Sequence, residues 1–213
     1  PAALQGAVNV LDQRSHRFQH FRVFAQNAHW QETGPYTGEV SGAMLRGLVD
    51  YVIIGHSERR QHFHERDKEI AAKVAAAVRN HLTPILCVGD SLLDREHGHA
   101  RKVVVDQLSV DLANLTAEEL AKVVIAYEPL WAIGTGDFAK PGEVEPIVGI
   151  IQTTIADLYG PDVAKKVPIL YGGSVVADNA KGYLELKGIN GLLVGTASLH
   201  AHSFADIVAA AQK

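Results

Sequence analysis

Three features of this chain could do chemistry by residue type and spacing: an acidic side chain ending one strand-like run, an imidazole ending another, and two glycine-rich turns near the carboxyl terminus. The acid lies in Ala126-Tyr127-Glu128-Pro129-Leu130-Trp131-Ala132-Ile133-Gly134-Thr135-Gly136, behind the β-branched run Val123-Val124-Ile125. Pro129 lacks an N–H and fixes φ, so the strand must stop there and leave Glu128 at its end. An apolar tongue follows, with Gly134 and Gly136 at its far end. A carboxylate base with a hinged cover would be built this way. On this stretch alone, a solvated Glu followed by an ordinary turn is the alternative.

The imidazole is His56, in Gly55-His56-Ser57-Glu58-Arg59-Arg60 directly after the apolar run Tyr51–Ile54. A His at a strand end, with a polar turn or a helix starting behind it, faces backbone N–H groups and a helix dipole that favour the neutral ring. A neutral imidazole can donate and accept at adjacent oxygens; a ring satisfied by local hydrogen bonds is the plainer alternative. The glycine-rich turns are Tyr171-Gly172-Gly173-Ser174 and Val194-Gly195-Thr196-Ala197-Ser198. Glycines let backbone N–H groups converge on an anion, and a helix N-terminus just beyond adds to the attraction, so phosphate is the natural guest. Either turn alone reads as a tight connection; two in consecutive loops near the chain end point to a phosphate site. The pairs His62/His64, His97/His99 and His200/His202 do not read as metal ligands, because residues two apart share no helix face and no carboxylate or Cys spacing supports them. Gly134-Thr135-Gly136 by itself is an equally weak nucleotide signal.

The elements that must position these residues alternate. Apolar runs of strand length recur at Phe21–Ala25, Tyr51–Ile54, Thr83–Val88, Val123–Tyr127, Val167–Tyr171 and Gly191–Val194. Spaced apolar positions at Leu4, Val8 and Leu11 predict a first helix running into a His-rich loop, Arg14 to His20. Helical periodicity marks Glu69 to Val78, Val103 to Leu115, Val144 to Leu158, Asn179 to Leu184 and Phe204 to Ala210. In the third of these, Val144, Ile147, Val148, Ile151, Ile155 and Leu158 share one face. Thr116-Ala117-Glu118-Glu119 has the form of a capping box before a short helix. Short apolar strands alternating with amphipathic helices signal a parallel sheet buried on both faces, in one domain over residues 1–213. An open doubly wound sheet would announce a nucleotide site with Gly-x-Gly-x-x-Gly after its first strand, and none is present. The suspicious residues instead follow the carboxyl ends of different strands, the habit of a (β/α) barrel.

At 213 residues, with a hydrophobic share of 47%, the chain can bury a sizeable core. A net charge of −4, with its 20 Lys and Arg scattered, argues against a nucleic-acid partner. The single cysteine, Cys87, sits in an apolar run and reads as buried filler in a reducing compartment. No run reaches the roughly 18 apolar residues of a membrane helix and no signal-peptide pattern opens the chain, so a cytoplasmic protein with no membrane partner is expected.

Taken together, Gln26-Asn27, Tyr36-Thr37-Gly38-Glu39, Tyr51 to Arg60, Cys87-Val88-Gly89, Ala126 to Gly136, Tyr171 to Ser174 and Leu193-Val194-Gly195 resemble the triosephosphate isomerase family in order and spacing, from about residue 20 onward. The resemblance implies an α/β fold, the TIM (β/α)8 barrel, and reversible interconversion of glyceraldehyde 3-phosphate and dihydroxyacetone phosphate through an enediolate. It implies a place in glycolysis and gluconeogenesis, with no metal and no organic cofactor. Glu128 would be the catalytic base and His56 the neutral electrophile. Leu130 to Gly136 would form a lid that brings the Gly134 N–H to the phosphate, with the backbone amides of Ser174, Gly195 and Thr196 completing the phosphate site. The loop Gln26 to Ser41 resembles the family's dimer loop, so a homodimer through the region around Thr37 is implied.

The departures from the family pattern are specific. The family opens with a strand ending in Asn-x-Lys, whose lysine neutralises substrate charge; no such segment occurs here, and the six runs correspond to strands 3 to 8. Asp90 stands where the family has Glu, Asn190 where it has Asp, and Thr196 for the second glycine of the phosphate turn; the connection Ser41 to Asp50 is about one residue short. Removing the first strand, first helix and second strand would uncover at least roughly 1,000 Å² of apolar surface, on the order of 25 kcal/mol. That exceeds the ~5–15 kcal/mol a domain holds in reserve. The opening on Pro1 and the single methionine, Met44, fit the expectation that these residues are part of a longer chain. The alternative is a catalytically dead relative that binds phosphorylated ligands or serves as a scaffold. A Schiff-base aldolase would need a strand lysine, and the nearest, Lys122, lies at the wrong end of its strand.

Overall fold

The computed structural model of the protein describes residues 2–13, 21–133 and 138–211. All six apolar runs form strands: β1 (Phe24–Ala25), β2 (Tyr51–Ile54), β3 (Thr83–Val88), β4 (Val124–Tyr127), β5 (Ile169–Tyr171) and β6 (Gly191–Leu192). Several are shorter than their runs, for a local reason in the clearest case. Pro168 has no N–H to give a ladder, and contributes only its carbonyl, which accepts from the Ile125 N–H at 2.9 Å. The predicted helices appear at Ala2–Gln13, Asp67–Arg79, Ala100–Asp111, Pro141–Tyr159, Ala177–Leu184 and Ala201–Ala211. The expected His-rich loop, Arg14 to His20, and the glycines of the tongue, Gly134 and Gly136, lie outside the described residues. Among those described, no helix is long and apolar enough to cross a membrane.

Contacts group the chain into two compact units, Pro1–Leu86 with Asp111–Val123, and Cys87–Val110 with Val124–Lys213. In the first, β1, β2 and β3 run parallel, with Phe24 beside Tyr51 and Tyr51 to Ile54 beside Thr83 to Leu86. Val52 and Ile54 are fully buried, as are Ile70 and Val74 of the helix Asp67–Arg79 that covers β2. The capping box at Thr116 forms as its spacing predicts: Thr116 Oγ1 accepts from the Glu119 N–H at 3.3 Å, and Glu119 accepts from the Thr116 N–H at 2.8 Å.

In the second unit β4, β5 and β6 are parallel, and the register sets Tyr127 beside Tyr171 and Tyr171 beside Leu192. Helix Pro141–Tyr159 starts on a proline at its first position, where the missing N–H costs nothing. It buries Val144, Ile147, Val148, Ile151 and Ile155. Leu158 departs from the expected face: it is 47% exposed, in the last turn of a helix that ends one residue later at Tyr159. Cys87 is fully buried in β3, in keeping with the filler its apolar setting implied.

Candidate active site

Glu128 follows β4 directly, and its backbone stays in the sheet: its N–H donates to the Val88 carbonyl at 2.8 Å, and the Leu130 N–H donates to the Asp90 carbonyl at 3.0 Å. Between Val88 and Asp90 lies Gly89, where a Cβ would stand 1.8 Å from the Glu128 carbonyl oxygen. No side chain fits there, so the close approach of these two backbones depends on glycine. Gln107 then clamps Gly89 on both sides, accepting from its N–H at 2.8 Å and donating to its carbonyl at 3.1 Å.

The Glu128 side chain is 2% exposed. Gly172, just past β5, makes room for it: a Cβ at that position would meet Glu128 Cγ at 3.1 Å. At Gly173 a Cβ would meet the Tyr171 hydroxyl at 2.1 Å. Neither glycine has a positive φ. Close approach, more than turn geometry, accounts for this pair. Ser174 commits its hydroxyl to the Ala132 carbonyl at 2.5 Å, which ties the β5 loop to the short 3-10 turn Leu130–Ala132 after Glu128. Past β6, Gly195 and Thr196 are exposed and open the 3-10 turn Thr196–Leu199, while Ser198 donates its N–H and hydroxyl to the Gly195 carbonyl. The first N–H groups of such a turn have no partner within it. Glu128, Ser174, Gly195 and Thr196 thus all leave the carboxyl ends of neighbouring parallel strands. Gly134 lies outside the described residues.

In the first unit His56 stands two residues past the carboxyl end of β2, half-buried, at the start of the helix Ser57–His62. The Glu58 N–H donates to its Nδ1 at 3.3 Å. An Nδ1 that accepts must carry the lone pair, so the neutral ring holds its proton on Nε2. The preceding turn needs glycine for a different reason from Gly172: Gly55 has φ +72°. Arg60 fastens this turn, donating Nε to the Gly55 carbonyl at 2.8 Å, Nη1 to Asp67 at 2.5 Å and Nη2 to the buried Asp111 at 2.8 Å.

Asp90 is the residue whose place sequence reasoning noted only as a departure. It is 1% exposed, accepting from the Tyr127 hydroxyl at 2.8 Å and from the Trp131 indole N–H at 3.3 Å. Burial pushes its carboxyl above the ordinary range, and these two hydrogen bonds pull it back only in part. Burial and the adjacent Asp90 in turn hold the Tyr127 hydroxyl far up, as a neutral donor. Gln107 gave no signal either, because its partner lies 18 residues away on another element. Arg60 lay inside the recognised His56 segment, yet its partner Asp111 is 51 residues distant. Among the described residues no group of three His, Cys, Asp or Glu converges to hold a metal ion.

The triosephosphate isomerase family model matches residues 3–211. Triosephosphate isomerase of Acetivibrio thermocellus is 51% identical over 189 residues, 88% of this chain and 75% of the relative. That of Caldanaerobacter subterraneus subsp. tengcongensis is 51% identical over 185 residues, covering 86% and 75%. That of Streptococcus mutans is 48% identical over 184 residues, covering 86% and 73%. With a family match across nearly all its residues and relatives at about half identity, the chain belongs to the triosephosphate isomerase family, an enzyme of the isomerase class on the α/β fold of the TIM barrel.

Proposed function

We propose that this chain interconverts glyceraldehyde 3-phosphate and dihydroxyacetone phosphate, with Glu128 as base and His56 as electrophile. Glu128 removes a proton from the carbon next to the substrate carbonyl, while His56 donates its Nε2 proton toward the carbonyl oxygen. The resulting enediolate is reprotonated by Glu128 on the neighbouring carbon, and the hydroxyl proton moves between the two oxygens through the imidazole. The observation that carries this reading is the seat of Glu128: a carboxyl removed from solvent at a strand's carboxyl end, with glycine at 172 leaving room for its stem. A buried carboxylate meets the substrate without first shedding water, which strengthens its interaction with the developing charge. The accepting Nδ1 of His56 supports its part, since a neutral ring that accepts there keeps Nε2–H as its donor toward a carbonyl.

The backbone N–H groups of Gly134, Ser174, Gly195 and Thr196 bind the substrate phosphate in this proposal. Leu130 to Gly136 covers the site, because an enediolate phosphate left in water would eliminate its phosphate. The chain works as a single barrel domain without metal or organic cofactor, in the cytoplasm. It pairs as a homodimer through the loop around Thr37, where the rings of Trp30 and Tyr36 pack on His29 at 4.1 and 4.4 Å and leave Thr37 exposed. Turnover of glyceraldehyde 3-phosphate in a coupled assay tests the proposal. Wild type should turn over, and Glu128→Gln should fall by about 10²–10⁴, the usual worth of a positioned general base. A wild type without turnover, or a Glu128→Gln variant at wild-type rate, rejects it.

A further inference from the structure

Arg95 sits in the short helix Leu92–Glu96, and none of the roles above involves it. Its guanidinium lies 3.8 Å over the centroid of the Trp131 ring, and its Nη2 donates to Glu143 Oε1. The other Glu143 oxygen accepts from the Lys140 N–H at 2.7 Å and so fixes the start of helix Pro141–Tyr159. One cation therefore joins a residue three positions after Glu128 to the first turn of the helix that follows, one on each side of residues 134–137.

The charges around Trp131 suit its ring. An indole is negative on its face and positive at its N–H edge; here Arg95 covers the face and Asp90 accepts from the edge. Arg95 and Glu143 are both part-exposed, at 39% and 31%, so their ion pair alone would count for little. What matters is that one planar guanidinium serves both partners, stacking through its face while donating through its edge, which an ammonium group cannot do.

We propose that Arg95 is a positioning residue for the reaction: by holding Trp131 it fixes the turn Leu130–Ala132, and through that turn the backbone from which Glu128 projects. This inference rests on the proposed role of Glu128. A contact with no such role would leave kcat untouched when broken, even though the Trp131 ring loses the cation above it.

The test uses the full chain labelled with 5-fluorotryptophan. It holds two tryptophans, Trp30 and Trp131, giving two fluorine signals by NMR, and Trp131→Phe assigns them. In Arg95→Gln the Trp131 signal should move by more than its linewidth while the Trp30 signal stays. With glyceraldehyde 3-phosphate, kcat should fall by about fivefold with KM little changed, the scale of one cation–π contact acting on the base. Arg95→Lys, which keeps the ion pair without the stacked plane, should leave the fluorine signal displaced; Glu143→Gln, which keeps the stack, should shift it less. An unmoved Trp131 signal in Arg95→Gln overturns the proposal. So does an unaltered kcat, or a fall in kcat no larger than the loss of folded protein seen in the fluorine signals. If wild type shows no turnover, the Glu128 reading fails separately, and the fluorine signal still decides whether Arg95 positions Trp131.

Discussion

At Gly172 a single methyl group decides where the carboxylate of Glu128 can sit. A Cβ there would press on Glu128 Cγ at 3.1 Å, so the side chain would have to yield by a few tenths of an ångström. Such a shift leaves the fold intact but spoils the alignment of base and proton, and small misplacements are costly in rate. Gly172→Ala should therefore lose about tenfold in kcat with KM little changed; steady-state kinetics beside a thermal melt checks this, and an unaltered kcat would contradict it. Glu128, His56, Ser174, Gly195 and Thr196 were readable because each follows an apolar run that ends abruptly, so their place at strand ends is a local property of the chain. Asp90 was not, since its partners Tyr127 and Trp131 lie 37 and 41 residues away and only the fold brings them to it.

The elements were legible for the same reason that single long-range contacts were not: periodicity is written into neighbouring residues. All six strand runs and the stripe Val144 to Ile155 took the expected form, whereas strand ends and the exposed Leu158 depended on where pairing and neighbouring elements stopped. Helix Asp67–Arg79 shows what lies beyond pattern. Its Lys73, 4% exposed, donates to Glu65 at 2.5 Å and to Asn27 at 2.9 Å, and Arg59 donates to the same Glu65 oxygen at 2.5 Å. Burial alone would raise the Glu65 carboxyl, but the hydrogen bonds from Lys73 and Arg59 outweigh it and hold the group below the ordinary glutamate range. A carboxylate depressed in the folded state stabilises it above the unfolded pKa of about 4.5, and that contribution is lost as pH falls through the folded value. Glu65→Gln should cost about 3 kcal/mol at neutral pH by leaving Lys73 buried without its full countercharge. The gap to wild type should shrink toward acid, and urea unfolding across pH measures it. A gap that widened below pH 4.5 would contradict this role.

For the molecule as a whole, the composition limited the partners and the family limited the chemistry. In the proposed reading backbone donors hold the phosphate, and exposed Gly195 and Thr196 at the start of a turn are suited to supply them. Sedimentation should give twice the 23.0 kDa chain mass, and Thr37→Glu should shift the material toward monomer; a wild-type monomer at micromolar concentration would contradict the dimer. The most direct measurement of the central claim is isomerisation in D2O followed by proton NMR of the product. An enediolate formed by Glu128 exposes the transferred proton to solvent, so product from wild type should carry deuterium on the carbon that receives it, and Glu128→Gln should form no labelled product above the enzyme-free control. Product from wild type with no deuterium at that carbon, or labelling by Glu128→Gln at the wild-type rate, would contradict it.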